Sequence, residues 1–169
     1  NDTIHTLIQL MQSRGEAWVD ELPILLNENG EYVFLEDKEK EIAELKGKDF
    51  LNLNSYATAD LCIKKLVERY ECDTEKYSPK EVRDILSVRY SMTRNAFSVP
   101  NPYTFAQGVS RDTVAIIEEN SQSLPGVNTQ ITTIREYPNG AIAPHLIGSI
   151  GVISQEEYDE LKDKGYAYN

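Results

Sequence analysis

The stretch Ser78-Pro79-Lys80-Glu81, read with the prolines at positions 100 and 102, constrains this fold more than any other part of the sequence. A capping serine accepts a hydrogen bond from the third helical residue, a glutamate there reaches back to the cap, and proline at the first position already has a helical φ. A helix therefore starts at Pro79, with Val82, Ile85, Leu86 and Tyr90 on one face. Pro100 and Pro102 forbid a helix through Ser98 to Tyr103, because each ring removes a donor and restricts the residue before it. A subdomain boundary is expected there, with a helical part over 1–98 and a second part over 99–169.

Periodicity supplies the other elements. Ile4, Leu7, Ile8 and Met11 recur at helical spacing, with Asp2 or Thr3 as cap, Gly15 after the end and His5 on the polar flank. Leu22 to Leu35 reads as extended, turning at Asn27-Glu28-Asn29-Gly30, a hairpin signal. Residues 36–49, dense in Glu, Asp and Lys, read as a solvated helix or a loop. Thr58 to Tyr70 reads as an amphipathic helix through Leu61, Leu66, Val67 and Tyr70. Ser110 or Asp112 opens a helix carrying Val114 and Ile117, ending before Leu124-Pro125-Gly126. Val127 to Tyr137 alternates and is rich in β-branched residues, so it reads as a strand. Residues 141–151 read as a short apolar helix or turn, and Ser154-Gln155-Glu156-Glu157 is a second capping box opening a helix that stops at Gly165. The fold class is α+β.

A chain of 169 residues can bury a core without disulfides or a metal. Its 28 acidic against 17 basic residues give a net charge of -11, which opposes nucleic acid and anionic membrane surfaces as partners. The longest apolar run, near Leu22 to Leu26, is about five residues, against about 20 for a bilayer span. The start shows no basic segment followed by an apolar run, so no secretion signal is visible; the first residue is Asn1, so a longer parent is expected. Cys62 and Cys72, if on one helix, lie about 15 Å apart along its axis. A disulfide needs α-carbons within about 7 Å, so both read as free thiols.

Little here carries chemistry. His5, Cys62, Cys72 and His145 have no zinc-type spacing, so neither a metal nor a cofactor is expected. The adjacent pairs Asp20-Glu21, Glu118-Glu119 and Glu156-Glu157 read as solvated or capping acids, because helical neighbours do not face each other. Gly-x-Ser-x-Gly and the phosphate cradle Gly-x-x-x-x-Gly-Lys are absent. His145 reads as a core or turn residue bonded to backbone. The residues by themselves define an acidic α+β globular piece.

One stretch is more specific. Arg135-Glu136-Tyr137-Pro138-Asn139-Gly140-Ala141-Ile142-Ala143-Pro144-His145-Leu146-Ile147-Gly148-Ser149-Ile150-Gly151 resembles the Arg-x-Tyr-Pro-x-Gly-x-x-Ala-x-His-x-x-Gly-x-x-Gly signature of bacterial class B penicillin-binding proteins. In that family it lies in the non-catalytic N-terminal module, the dimerisation or pedestal domain. Leu124-Pro125-Gly126-Val127, the helix from Val114 to Glu119 and the segment Ser154 to Tyr166 are similar to the family's neighbouring elements. Ser87-Val88-Arg89-Tyr90-Ser91-Met92 is similar to a segment of elongation-type members from Gram-positive bacteria. Pro144 departs from the family's usual small residue.

The resemblance implies a helical head over 1–98 and a pedestal over 99–169. It also implies that the transpeptidase is absent, since no Ser-x-x-Lys, Ser-x-Asn, Lys-Ser-Gly or Lys-Thr-Gly occurs. This chain is then no enzyme, while its parent is a serine D,D-transpeptidase acting on peptidoglycan. Arg135, Tyr137, Pro138, Gly140, His145, Gly148 and Gly151 are expected to hold the module's shape. Phe97 and Tyr103 are expected to be exposed on the head and to touch a partner. The partners implied are a glycan polymerase of the shape, elongation, division and sporulation family, other cell-wall synthesis proteins, and a second copy in a homodimer. The parent is expected in the cell membrane, facing outward, anchored by one helix missing from this chain. The rival readings are the extracytoplasmic module of a β-lactam-sensing receptor and a stand-alone soluble domain.

Overall fold

A computed structural model describes residues 1–133, and the chain divides into two compact units, Asn1–Thr129 and Gln130–Asn169. The first unit carries α1 (Asp2–Arg14), β1 (Ile24–Leu26), β2 (Tyr32–Phe34), α2 (Glu39–Lys46), α3 (Ala59–Tyr70), α4 (Pro79–Arg94) and α5 (Arg111–Glu119). Helices with a small hairpin fit the α+β class. The strand expected over 127–137 does not form in its described part: Val127 to Thr133 has no strand pairing, and Ile131 is 98% exposed. Alternation makes a strand only where another strand supplies the ladder. The rest of that segment, and the second capping box, lie outside the described residues.

The capping box that dictates α4 is fully made. Ser78 accepts from the Glu81 backbone, and the Glu81 carboxylate accepts from the Ser78 N–H at 2.9 Å. The α4 helix buries Val82, Ile85, Leu86, Val88 and Tyr90, and also Asp84, Ser87 and Ser91. Burial around so much of its circumference makes it the central element, with α1, α3 and the hairpin against it. Thr58 caps α3 through Leu61 N–H at 3.3 Å, and Cys62, Ile63 and Leu66 enter the core. Both Cys62 and Cys72 are free and buried.

The hairpin pairs Ile24 with Phe34 and Leu26 with Tyr32, antiparallel. Its turn is set by Asn27, whose side-chain oxygen accepts from Asn29 N–H at 3.0 Å and Glu31 N–H at 2.9 Å, with Gly30 at φ 79°. Asp2 is not the cap of α1; Asn1 holds that position without a side-chain capping bond, its amide engaging Tyr70 C=O and Arg89 instead, and Gly15 closes the helix at φ 67°. Beyond Pro100 and Pro102 the chain stays with this unit. Val19 N–H donates to Phe105 C=O at 2.8 Å, and Leu7 of α1 packs with Ile117 and Leu124.

Candidate interaction surface

The charged side chains that converge in this unit lock α4 to its neighbours. Arg83 is the hub: Nε donates to Ile24 C=O at 2.8 Å, and Nη1 meets Asp84 at 3.3 Å and Asp20. Ser87 donates to Asp20 at 2.7 Å, and Lys80 pairs with the buried Asp84 at 2.9 Å. Asp20 is exposed and accepts from Leu22 N–H at 3.3 Å, as a capping acid would, and through Arg83 and Ser87 it is also an anchor of α4. At the start of α4, His5 bonds Glu81 at 2.8 Å and rests on Tyr77, ring centres 4.8 Å apart. The His5 ring, followed by Ser78, holds the Glu81 carboxyl at about 2. Asp2 is likewise held at about 2, by Lys76 first and Tyr77 second.

Glu16 ties a third pair of elements together. It accepts from Ser110 N–H at 3.2 Å and Thr113 Oγ1 at 2.9 Å, at the start of α5. A carboxylate there meets the positive end of the helix. No group of three or more His, Cys, Asp or Glu residues among the described ones could hold a metal ion, and no helix among them is long and apolar enough to cross a membrane.

Just past the polar last turn of α4, two apolar side chains stand exposed. The helix closes with Ala96 in the left-handed region at φ 49°, Ala96 N–H bonding Thr93 C=O at 3.1 Å and Phe97 N–H bonding Met92 C=O at 2.9 Å. This is a Schellman closure in which alanine occupies the position that usually falls to glycine. The chain then turns back on itself: Ser98 and Asn101 exchange both backbone bonds, at 3.1 and 3.0 Å. The Asn101 amide bonds the carbonyls of Asn95 at 2.9 Å and Ala96 at 3.2 Å. On this fixed turn Phe97 is 51% exposed and Val99 is 99% exposed.

Of the residues singled out in the sequence, Phe97 lies on this tip. Tyr103 does not share its exposure: it is half-buried against the main core, its hydroxyl donating to Val19 C=O at 3.3 Å, with burial pushing its pKa up. Its ring serves packing. Arg135, Tyr137, Pro138, Gly140, His145, Gly148 and Gly151 lie outside the described residues. Val99 was missed, although an apolar residue between a helix stop and Pro100 has no helix face on which to bury.

Comparison with known proteins assigns the class. The family model for the penicillin-binding protein dimerisation domain matches residues 2–169. The chain belongs to that family. It is a non-catalytic module of a penicillin-binding protein, a component of cell-wall synthesis. The chain is also 29% identical over 102 residues to a 4-hydroxy-3-methylbut-2-en-1-yl diphosphate synthase (flavodoxin) from Chlamydia muridarum (strain MoPn / Nigg). That match covers 57% of this chain, which spans only 17% of that curated relative's length. Likeness of that extent defines no family and lends no activity to this chain.

Proposed function

We propose that this module is the extracytoplasmic, non-catalytic part of a class B penicillin-binding protein, of the elongation type found in Gram-positive bacteria. In the parent it spaces a transpeptidase from the membrane, on the outer face, behind a single membrane helix outside this chain. Its tip touches a glycan polymerase, with a homodimer as a second contact. The first contact is made at the junction of the head over 1–98 with the pedestal over 99–169, and the pedestal is shaped by the motif from Arg135 to Gly151. The observation that carries the polymerase contact is the pair Phe97 and Val99, exposed on a turn closed by backbone bonds on both sides. Aromatic anchors on rigid supports are what protein interfaces use for most of their binding energy.

The test is made in the intact parent. Phe97→Ala and Val99→Asp are expected to leave fluorescent-penicillin labelling unchanged while polymerase copurification and activation fall. Full activation with both variants would take the contact away from the tip. An intact parent that takes no penicillin label would remove the transpeptidase assignment.

A further inference from the structure

Between α3 and the start of α4 runs a groove of about 440 Å³, within the range of ligand-sized clefts, about 300–1,000 Å³. Ile63, Val67 and Val82 line it, with Tyr32 of β2 beside them. Asp60, Lys64 and Glu68 line it as well and are exposed. They recur every fourth residue of α3, so they share one helix face as an acid–base–acid row. Glu68 is held by Lys65 at 2.6 Å, while Asp60 and Lys64, one turn apart, have no ion-pair partner among the described residues. An apolar floor beside an unpaired acid and base is a surface with its charges still to be met.

We propose that this groove receives an amphipathic helix of a different protein. That helix brings two large apolar side chains one turn apart, and a base–acid–base row at i, i+4 and i+8 along its flank. A helix repeats the rim's own spacing of about 6 Å per four residues. It also satisfies its own backbone, so it can lie over an apolar floor that offers an extended chain few partners. A second copy fits poorly. A two-fold axis that lays groove on groove sets Lys64 against Lys64 and Asp60 against Glu68, and two concave faces leave each other unfilled. The groove shares no residue with the Phe97–Asn101 tip, so the inference stands apart from the polymerase reading.

Two synthetic alanine-based helical peptides test it, each with leucines at i and i+4. One carries Lys–Glu–Lys on the flank and the other Glu–Lys–Glu. They are titrated into the ¹⁵N-labelled 169-residue chain and followed by backbone amide shifts. The Lys–Glu–Lys peptide should shift amides of α3 and of residues 74–82, and bind about tenfold more tightly, because three exposed pairs turn from attractive to repulsive in its rival. The surface variant D60K/K64E/E68K should reverse that preference, and Val67→Asp should abolish both. Equal affinities, shifts mapping elsewhere, or no shift with either peptide would overturn the proposal. So would a concentration-dependent dimer in sedimentation that Val67→Asp dissolves, which would give the groove to a second copy.

Discussion

Replacing Arg83 with methionine keeps the stem in the α4 interface and removes only the guanidinium. Two losses follow. The Ile24 carbonyl gives up a bond of 2.8 Å, worth about 1 kcal/mol. Asp84, whose side chain is 7% exposed, and Asp20 lose their shared cation. Breaking a buried pair from one side costs about 3–5 kcal/mol. Lys80 remains 2.9 Å from Asp84, and Ser87 remains on Asp20, which is 31% exposed. These survivors place the net cost at about 3 kcal/mol, toward the low end. For a chain of this size that lowers Tm by about 6–12 °C. The assay is urea unfolding read by Trp18, the only tryptophan, which packs on the main core. Adding Asp84→Asn removes the stranded charge, so the double variant should be more stable than the sum of the single losses by about 1 kcal/mol or more. A loss under about 1 kcal/mol for Arg83→Met, or strict additivity with Asp84→Asn, would refute the hub.

Further outcomes follow from the same contacts. Leu86→Ala, at a fully buried position, should cost about 2–5 kcal/mol in urea unfolding. Ala96→Gly relieves a left-handed alanine and should raise stability by up to about 1 kcal/mol in the same assay. Glu81 and Asp2 have carboxyls lowered to about 2 from 4.5 and 3.8. Their contribution is complete above those ordinary values and is lost as pH falls toward 2. Glu81→Gln should therefore flatten the dependence of the urea midpoint on pH between 4.5 and 2, measured beside the unaltered chain.

How far the sequence reveals this fold depends on the range of each interaction. The start of α4 was legible because Ser78, Pro79 and Glu81 make their bonds to one another. The hairpin was legible because Asn27 sets its own turn. Asp20 was not, since its cation stands 63 positions away and only the packed helix brings them together. The cap of α1 misled for the same reason: Asp2 is engaged by Tyr77 and Lys76 across the fold. Pro100 and Pro102 mark where α4 must have ended, but they say nothing about Tyr103, which folds back onto Val19. The family, in contrast, was legible from the stretch Arg135 to Gly151, and the match over residues 2–169 agrees with it.

The two ends of α4 explain why a non-catalytic module would hold so much polar structure inside. Its 16 residues form a rod of about 24 Å at about 1.5 Å per residue. Near its start the rod is clamped by Arg83 to Asp20 and the hairpin, and by Glu81 to α1. At its other end it is followed by Phe97, on a closure held by backbone bonds to Met92 and Thr93. An apolar core alone resists separation well but resists sliding or rotation of a helix poorly, because apolar contacts are not directional. Hydrogen-bonded ion pairs fix register, and a partly buried guanidinium with several acceptors fixes it most strongly. The contact proposed for the tip needs that register, even though buried ion pairs add little net stability over an apolar replacement. On this argument Arg83→Met should do more than lower Tm: below its melting range it should also loosen the tip, read as faster amide exchange at Phe97 and Asn101. Leu86→Ala, matched for lost stability, should leave tip exchange nearer that of the unaltered chain. Equal exchange at the tip in the two variants would mean the clamp sets stability alone and not position.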